Sequence, residues 1–162
     1  MSSKHQAMQN NVGILRLDGT GSVERLVWTE SAEWGPTLSR DGRWLAYSSN
    51  ESGQHEVYVQ EFPSMGRRFQ VSSGGGQVPR WHRNGKELFY WNAGGIVAVE
   101  VETDPEWAAS LPRVLFEGSY GNLYDVFPRG DRFAMIESTS GDNELVVVEN
   151  WFEELERLVP AE

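Results

Sequence analysis

The chain has 162 residues, 39% of them hydrophobic and 12% aromatic, with no cysteine; that is enough apolar material for a folded core and excludes a disulfide scaffold, a thiolate metal site and a cysteine nucleophile. A formal net charge of −10 opposes binding to nucleic acid or to an anionic membrane face, because Arg67-Arg68 and Arg80 with Arg83 are the only basic clusters and both are small. No apolar run approaches the ~20 residues of a membrane helix, and residues 1–11 are polar rather than a signal peptide, so the expected compartment is the cytoplasm by default.

In chain order, residues 1–11 lack periodicity and are expected to form a disordered tail. Val12-Gly13-Ile14-Leu15-Arg16-Leu17 reads as a strand, Asp18-Gly19-Thr20-Gly21 as a turn, and Val23 to Trp28 as a second strand. A fuller unit follows over 34–72. Its first strand ends at Asp41-Gly42, where Gly supplies positive φ without steric cost and Asp bonds to the backbone just ahead. Trp44-Leu45-Ala46-Tyr47 is the next strand, Asn50-Glu51-Ser52-Gly53 a turn, Glu56 to Gln60 a third strand, and Arg68-Phe69-Gln70-Val71 closes the unit.

Ser73-Gly74-Gly75-Gly76 leads into a second unit over 78–116. A phosphate-loop reading of the triple glycine fails, since no Lys-Ser/Thr follows and no helix begins there, which leaves a flexible connection. The second unit contains a longer loop from Thr103 to Leu111 that carries Trp107. A third unit over 123–149 offers three strands. Asn150 with Glu153 then makes a helix start of the capping-box kind, and Pro160 a stop, so a short amphipathic C-terminal helix is expected over 150–160.

These units are repeats. Pro36-x-x-Ser39-x-Asp41-Gly42 is answered by Pro79-Arg80-Trp81-His82-Arg83-Asn84-Gly85 and by Val126-Phe127-Pro128-Arg129-Gly130, so the turn glycines stand 43 and 45 residues apart. A period in the low forties with about four short strands per unit is what a propeller blade requires. The expected fold is therefore all-β, built of four-stranded antiparallel blades: a partial first blade over 12–28, full blades over 34–72 and 78–116, and a partial last blade over 123–149.

The run Ser39-Arg40-Asp41-Gly42-Arg43-Trp44-Leu45-Ala46-Tyr47-Ser48-Ser49-Asn50 resembles the Ser-Pro-Asp-Gly-containing WD40-like repeat of TolB-type β-propellers, with Arg40 where Pro is usual. The chain is similar above all to the C-terminal propeller of bacterial serine/threonine kinases, whose last blade commonly closes with a run like Val146 to Leu155. The resemblance implies a non-catalytic sensor or scaffold domain. The second and third repeats keep the turn glycine but lack the aspartate, so no ring of turn aspartates is implied.

Chemistry finds little support in the pattern. His5 lies in the tail, and His55-Glu56 matches a zinc-protease motif in two letters only. It sits on a strand, where positions four apart are about 13 Å away rather than one helical turn. His82 occupies the Ser position of the repeat and reads as a turn contact. No Gly-x-Ser-x-Gly elbow occurs, Glu153-Glu154 are adjacent and face different ways, and Asp41, Asp131 and Asp142 are turn residues. The expectation is no enzyme, no metal and no cofactor.

What remains is surface. Propellers bind through loops at the ring faces and through the central channel, and the residues opening the first strands are Glu33, Trp34, Gln77, Val78, Leu123 and Tyr124. Trp34, Glu33, Gln77, Arg80 and Tyr124 are the expected contact residues, with packing between blades the competing role for the two aromatics. Thirteen strands make about three and a quarter blades, whereas a closed ring needs at least four. A head-to-tail homodimer forming a six-bladed ring is therefore expected, with protein–protein contact as the function. The alternative is an enzyme-associated propeller that takes a small peptide or sugar in its channel.

Overall fold

The computed structural model describes residues 10–138 and the strand 143–149; of the expected tail over 1–11, residues 1–9 lie outside them, as does the expected helix over 150–160, while the Asn10 carbonyl accepts from Glu33 N–H at 2.8 Å. Among the described residues there is no helix, and fourteen strands form four antiparallel sheets. The first sheet pairs β1 (Val12–Leu15) with β2 (Val23–Val27). The second blade runs in order through β3 (Glu33–Leu38), β4 (Trp44–Ser49), β5 (Glu56–Glu61) and β6 (Arg68–Gln70).

The third blade contains β7 (Gln77–Trp81), β8 (Glu87–Asn92) and β9 (Gly95–Glu102), followed by β10 (Ala108–Ala109) and β11 (Arg113–Glu117). The fourth contains β12 (Tyr120–Val126), β13 (Arg132–Ser138) and β14 (Asn143–Glu149). β10 corrects the expected count of thirteen. The long β9 is met along one edge by two short strands, β10 opposite Val101 and Glu102, and β11 opposite Gly95 to Ala98. The expected loop around Trp107 is thus partly sheet, and it carries the Trp107 ring into the core.

The turns show the repeat as hydrogen bonds. Gly42 N–H donates to Ser39 O at 2.9 Å, Gly85 N–H to His82 O at 2.9 Å and Gly130 N–H to Phe127 O at 2.8 Å. The three glycines have φ of 69°, 73° and 72°, a left-handed conformation that favours glycine. Polar side chains complete each turn differently. Ser39 donates its hydroxyl to Asp41 and accepts from Trp44 N–H at 3.0 Å, whereas His82 Nδ1 accepts from Asn84 N–H at 3.0 Å.

The middle strands are buried on both faces, as blades stacked in series require; all six residues of β4 are buried. Trp44 and Ala46 pack toward the third blade, with Leu88 and Tyr90, while Leu45 and Tyr47 pack toward the first sheet, with Val12 and Val27. One repeat later, Phe89 and Ala98 pack with Phe133, Met135 and Tyr124 of the fourth blade. Each junction is a separate core, and every fully buried side chain of this size contributes about 1.5–3 kcal/mol. Between the second and third blades the Trp107 ring lies 5.1 Å from Trp44, 5.6 Å from Phe69 and 6.3 Å from Trp81.

The blade connector at 73–76 is not a loose link. Glu56 is 2% exposed, and its Oε1 accepts from Gly74 N–H and Gly75 N–H, both at 2.9 Å, and from Gln54 Nε2 at 2.6 Å. The Ser72 hydroxyl donates to Glu56 Oε2 and accepts from Val57 N–H at 2.7 Å. A buried carboxylate is stable here because backbone and side-chain donors satisfy it. With φ of 83° and 108°, Gly74 and Gly75 turn their N–H groups toward one anion, and that anion is supplied by the protein itself.

Candidate functional site

The first strands of the blades, β3, β7 and β12, lie side by side, β3 against β7 and β7 against β12. Each carries an irregularity in its pairing: between Trp34 and Thr37, between Gln77 and Arg80, and between Tyr120 and Tyr124. Gly35 has φ 56° and its repeat equivalent Val78 has φ 51°. A β-branched residue in that region is strained, a cost of about 1–3 kcal/mol that surrounding contacts must hold. Val78 is held from both sides: its N–H donates to the buried Ser48 Oγ of the second blade at 3.0 Å, and its carbonyl accepts from the Tyr124 hydroxyl of the fourth at 2.8 Å. A Cβ on Gly35 would come within 3.3 Å of Val78 Cα, so glycine allows the two strands this close approach.

This clamp decides where the expected contact residues go. Trp34 is 50% exposed, with the ring of His55 edge-on at 6.3 Å. Gln77, its equivalent, is half-buried, and Asn122 Nδ2 lies 3.5 Å from Gln77 Oε1. Arg80 is half-buried, donates to Pro79 O at 2.9 Å and holds its guanidinium 5.9 Å from the centre of the Tyr124 ring.

Two of the five are instead closed into the fold. Tyr124 is 6% exposed, packed against Phe133, and burial raises its phenol above the ordinary range. Its neighbour Leu123, 63% exposed, takes the open position. Glu33 is 3% exposed; the Thr29 hydroxyl donates to its Oε1 at 2.5 Å, while its Oε2 has no hydrogen-bond partner. Burial is the main reason its carboxyl is held above the ordinary value, with the charge of Glu51 acting in the same direction.

The neighbouring strands β3, β7 and β12 carry Trp34, Gln77, Asn122 and Leu123, a mixed apolar and amide surface. Sequence reasoning missed Leu123 as the exposed member of its pair. The signal that finds it is the pairing of Tyr124 with Met135, whose side chain lies in the core with Phe89. His82 uses both ring nitrogens: Nδ1 accepts from Asn84, so Nε2 carries the proton that faces Arg129 O at 3.1 Å. Gly130 makes room for that ring, since a Cβ there would fall 1.8 Å from Nε2. No group of three or more metal-ligating side chains occurs among the described residues. A cleft of about 580 Å³ lies at the Asp41 and Gly85 turns, lined also by Arg40, Lys86, Glu102, Thr103 and Asp104.

No family model matches the chain, and no curated protein matches it in sequence. Among solved structures, oligogalacturonate lyase from Vibrio parahaemolyticus superposes with a TM-score of 0.58 at 14% identity, covering 88% of this chain and 45% of that one. An oligogalacturonate lyase in complex with manganese gives 0.56 at 15% identity, covering 80% and 38%. Both have propeller folds. The chain is a partial β-propeller. TolB from Acinetobacter baumannii matches with a TM-score of 0.47 at 14% identity, covering 86% of this chain and 46% of that one. The propeller spans less than half the length of each of these proteins, and at such identities the likeness concerns the fold alone. No helix among the described residues is long and apolar enough to cross a membrane.

Proposed function

We propose that this partial propeller is a non-catalytic TolB-like module for protein–protein contact, of the sensor or scaffold kind carried behind bacterial serine/threonine kinases, and that two copies complete a six-bladed ring. The observation that carries the reading is the exposure of Trp34 and Leu123 on the neighbouring first strands, where large apolar groups at a partly polar surface supply interface energy. The repeat spacing supports the propeller, and the run from Val146 to Leu155 supports the kinase-type comparison.

The test is capture of partners by the wild-type chain, by a Trp34→Ser/Leu123→Ser double variant, and by Leu111→Ser, which alters an exposed leucine away from these strands. A partner held by the wild type and by Leu111→Ser but lost by the double variant supports the reading; a partner indifferent to the double variant overturns it. A soaked oligosaccharide or peptide lodged beside Trp34 would instead carry the alternative, a small-ligand channel. For the ring, light scattering on dilution is decisive, since a persistent monomer removes it. Each copy carries a net charge of −10, so association should strengthen as salt screens that repulsion.

A further inference from the structure

One junction between blades is unfilled. A groove of about 390 Å³ separates the first sheet from the second blade, walled by Val12, Ile14 and Leu26 on one side and by Pro36, Leu38 and Leu45 on the other. Leu38, Trp81 and Val126 are equivalent positions of the repeat. Trp81 and Val126 pack into the cores of the junctions that precede their blades, while Leu38 is 47% exposed. The difference lies in the sheet in front. The second and third blades each present a first and second strand to the blade that follows; the first sheet has only β1, lying beside β3 as β5 lies beside β7, and β2 outside it. The inner edge of β1 faces the groove with no strand paired to it among the described residues.

The fourth blade offers what the groove lacks. Ala134 and Ile136 on β13 are the repeat equivalents of Ala46 and Ser48 on β4, the residues that face the third blade. They are half-buried, and their face has no blade packed on it among the described residues. We propose that the groove receives β12 and β13 of a second copy, so that these two strands and β1–β2 complete one four-stranded blade; this rests on the ring reading above. Strands β14 and β1 are equivalents that compete for the same edge of β13. In the single chain β14 holds that edge along seven residue pairs; in the ring β1 takes it, bringing the outer β2 with it, and β14 is displaced. Main-chain pairing along β1 supplies affinity and the apolar floor fixes the register.

The area is sufficient. Two strands of about six residues, at about 3.3 Å per residue and 4.8 Å between strands, cover roughly 200 Å² of each surface. Two junctions in a closed ring count this four times, roughly 800 Å² before side-chain corrugation, which brings the total to the order of 1,000 Å² that a specific interface needs.

Because the chain has no cysteine, single thiols report the junction cleanly. Leu38→Cys and Ala134→Cys variants are prepared separately, mixed and oxidised. The expected result is a disulfide-linked dimer in the mixture and not in either variant alone. Cross-linking of one variant to itself, or none in a sample that light scattering shows to be dimeric, overturns the groove as the receiving site and leaves the dimer standing. A monomer without cross-links overturns both. As an independent check, Leu38→Asp should leave the circular dichroism spectrum and melting temperature of the monomer unchanged and weaken association at least tenfold. Unchanged association overturns the proposal.

Discussion

The junction between the second and third blades and the junction between the first sheet and the second blade use the same repeat positions, yet one is closed and the other half-open. In the closed junction Trp44, Phe69, Trp81 and Trp107 enclose one another above Leu88, Tyr90, Val97 and Val99. In the open one Tyr47, Tyr58 and Leu45 meet Val12, Val27 and the partly buried Leu26 of the first sheet, with Phe62 and Met65 beside them, and Leu38 stands at the rim. A blade is thus not stable by its own sheet. Its two apolar faces are satisfied by neighbours, and stability is a sum over junctions, as in other repeat folds.

The largest test of that contrast is Trp44→Ala, which opens a cavity in the closed junction and should cost about 3–5 kcal/mol in denaturant unfolding. A loss no greater than that of a half-exposed rim residue would show that the junction is not the stabilising unit. Next comes Glu56→Ala. It leaves two glycine N–H groups and the Ser72 hydroxyl without their acceptor beneath the closed junction, and should cost about 2–3 kcal/mol. It should also speed hydrogen exchange at Gly74 and Gly75; unchanged exchange there would mean the carboxylate does not hold the connector.

On the open side the effects are smaller and depend on pH. Glu33 is buried and held above its ordinary value of 4.5, so the folded chain keeps this proton longer than the unfolded one. Its contribution is fully present below pH 4.5 and is lost as pH rises through the raised folded value. Glu33→Gln should therefore melt higher than wild type at neutral pH, by the equivalent of about 1 kcal/mol or less, with the advantage vanishing below pH 4.5. A gap independent of pH would assign the effect to packing. The smallest expected effect is Leu38→Ser, within about 0.5 kcal/mol for the monomer. A larger loss would mean that Leu38 is already covered.

Much of the architecture was legible before any coordinates. Three glycines spaced 43 and 45 apart, each after a strand and before an aromatic or branched run, specify a turn by conformation alone, and turns of that kind are local. The candidate surface was legible only in part. Tyr124 and Leu123 are both apolar neighbours on an inner strand, and only the pairing of Tyr124 with Met135 tells which one is inside. Alternation is uninformative where both faces of a strand are buried, as in β4, and a bulge shifts the face in any case.

By itself, then, the amino-acid order determined the repeat, the all-β class and the place of the turns, because those follow from backbone preferences within a few residues. Tertiary structure alone decided that Glu56 closes the triple-glycine connector from 18 and 19 residues away. It also decided that Trp107 joins a core through the short strand beside it, and that Leu38 faces a groove while Trp81 does not. Each of these depends on which sheet stands next in space, and no local propensity encodes a neighbour that lies a whole blade away.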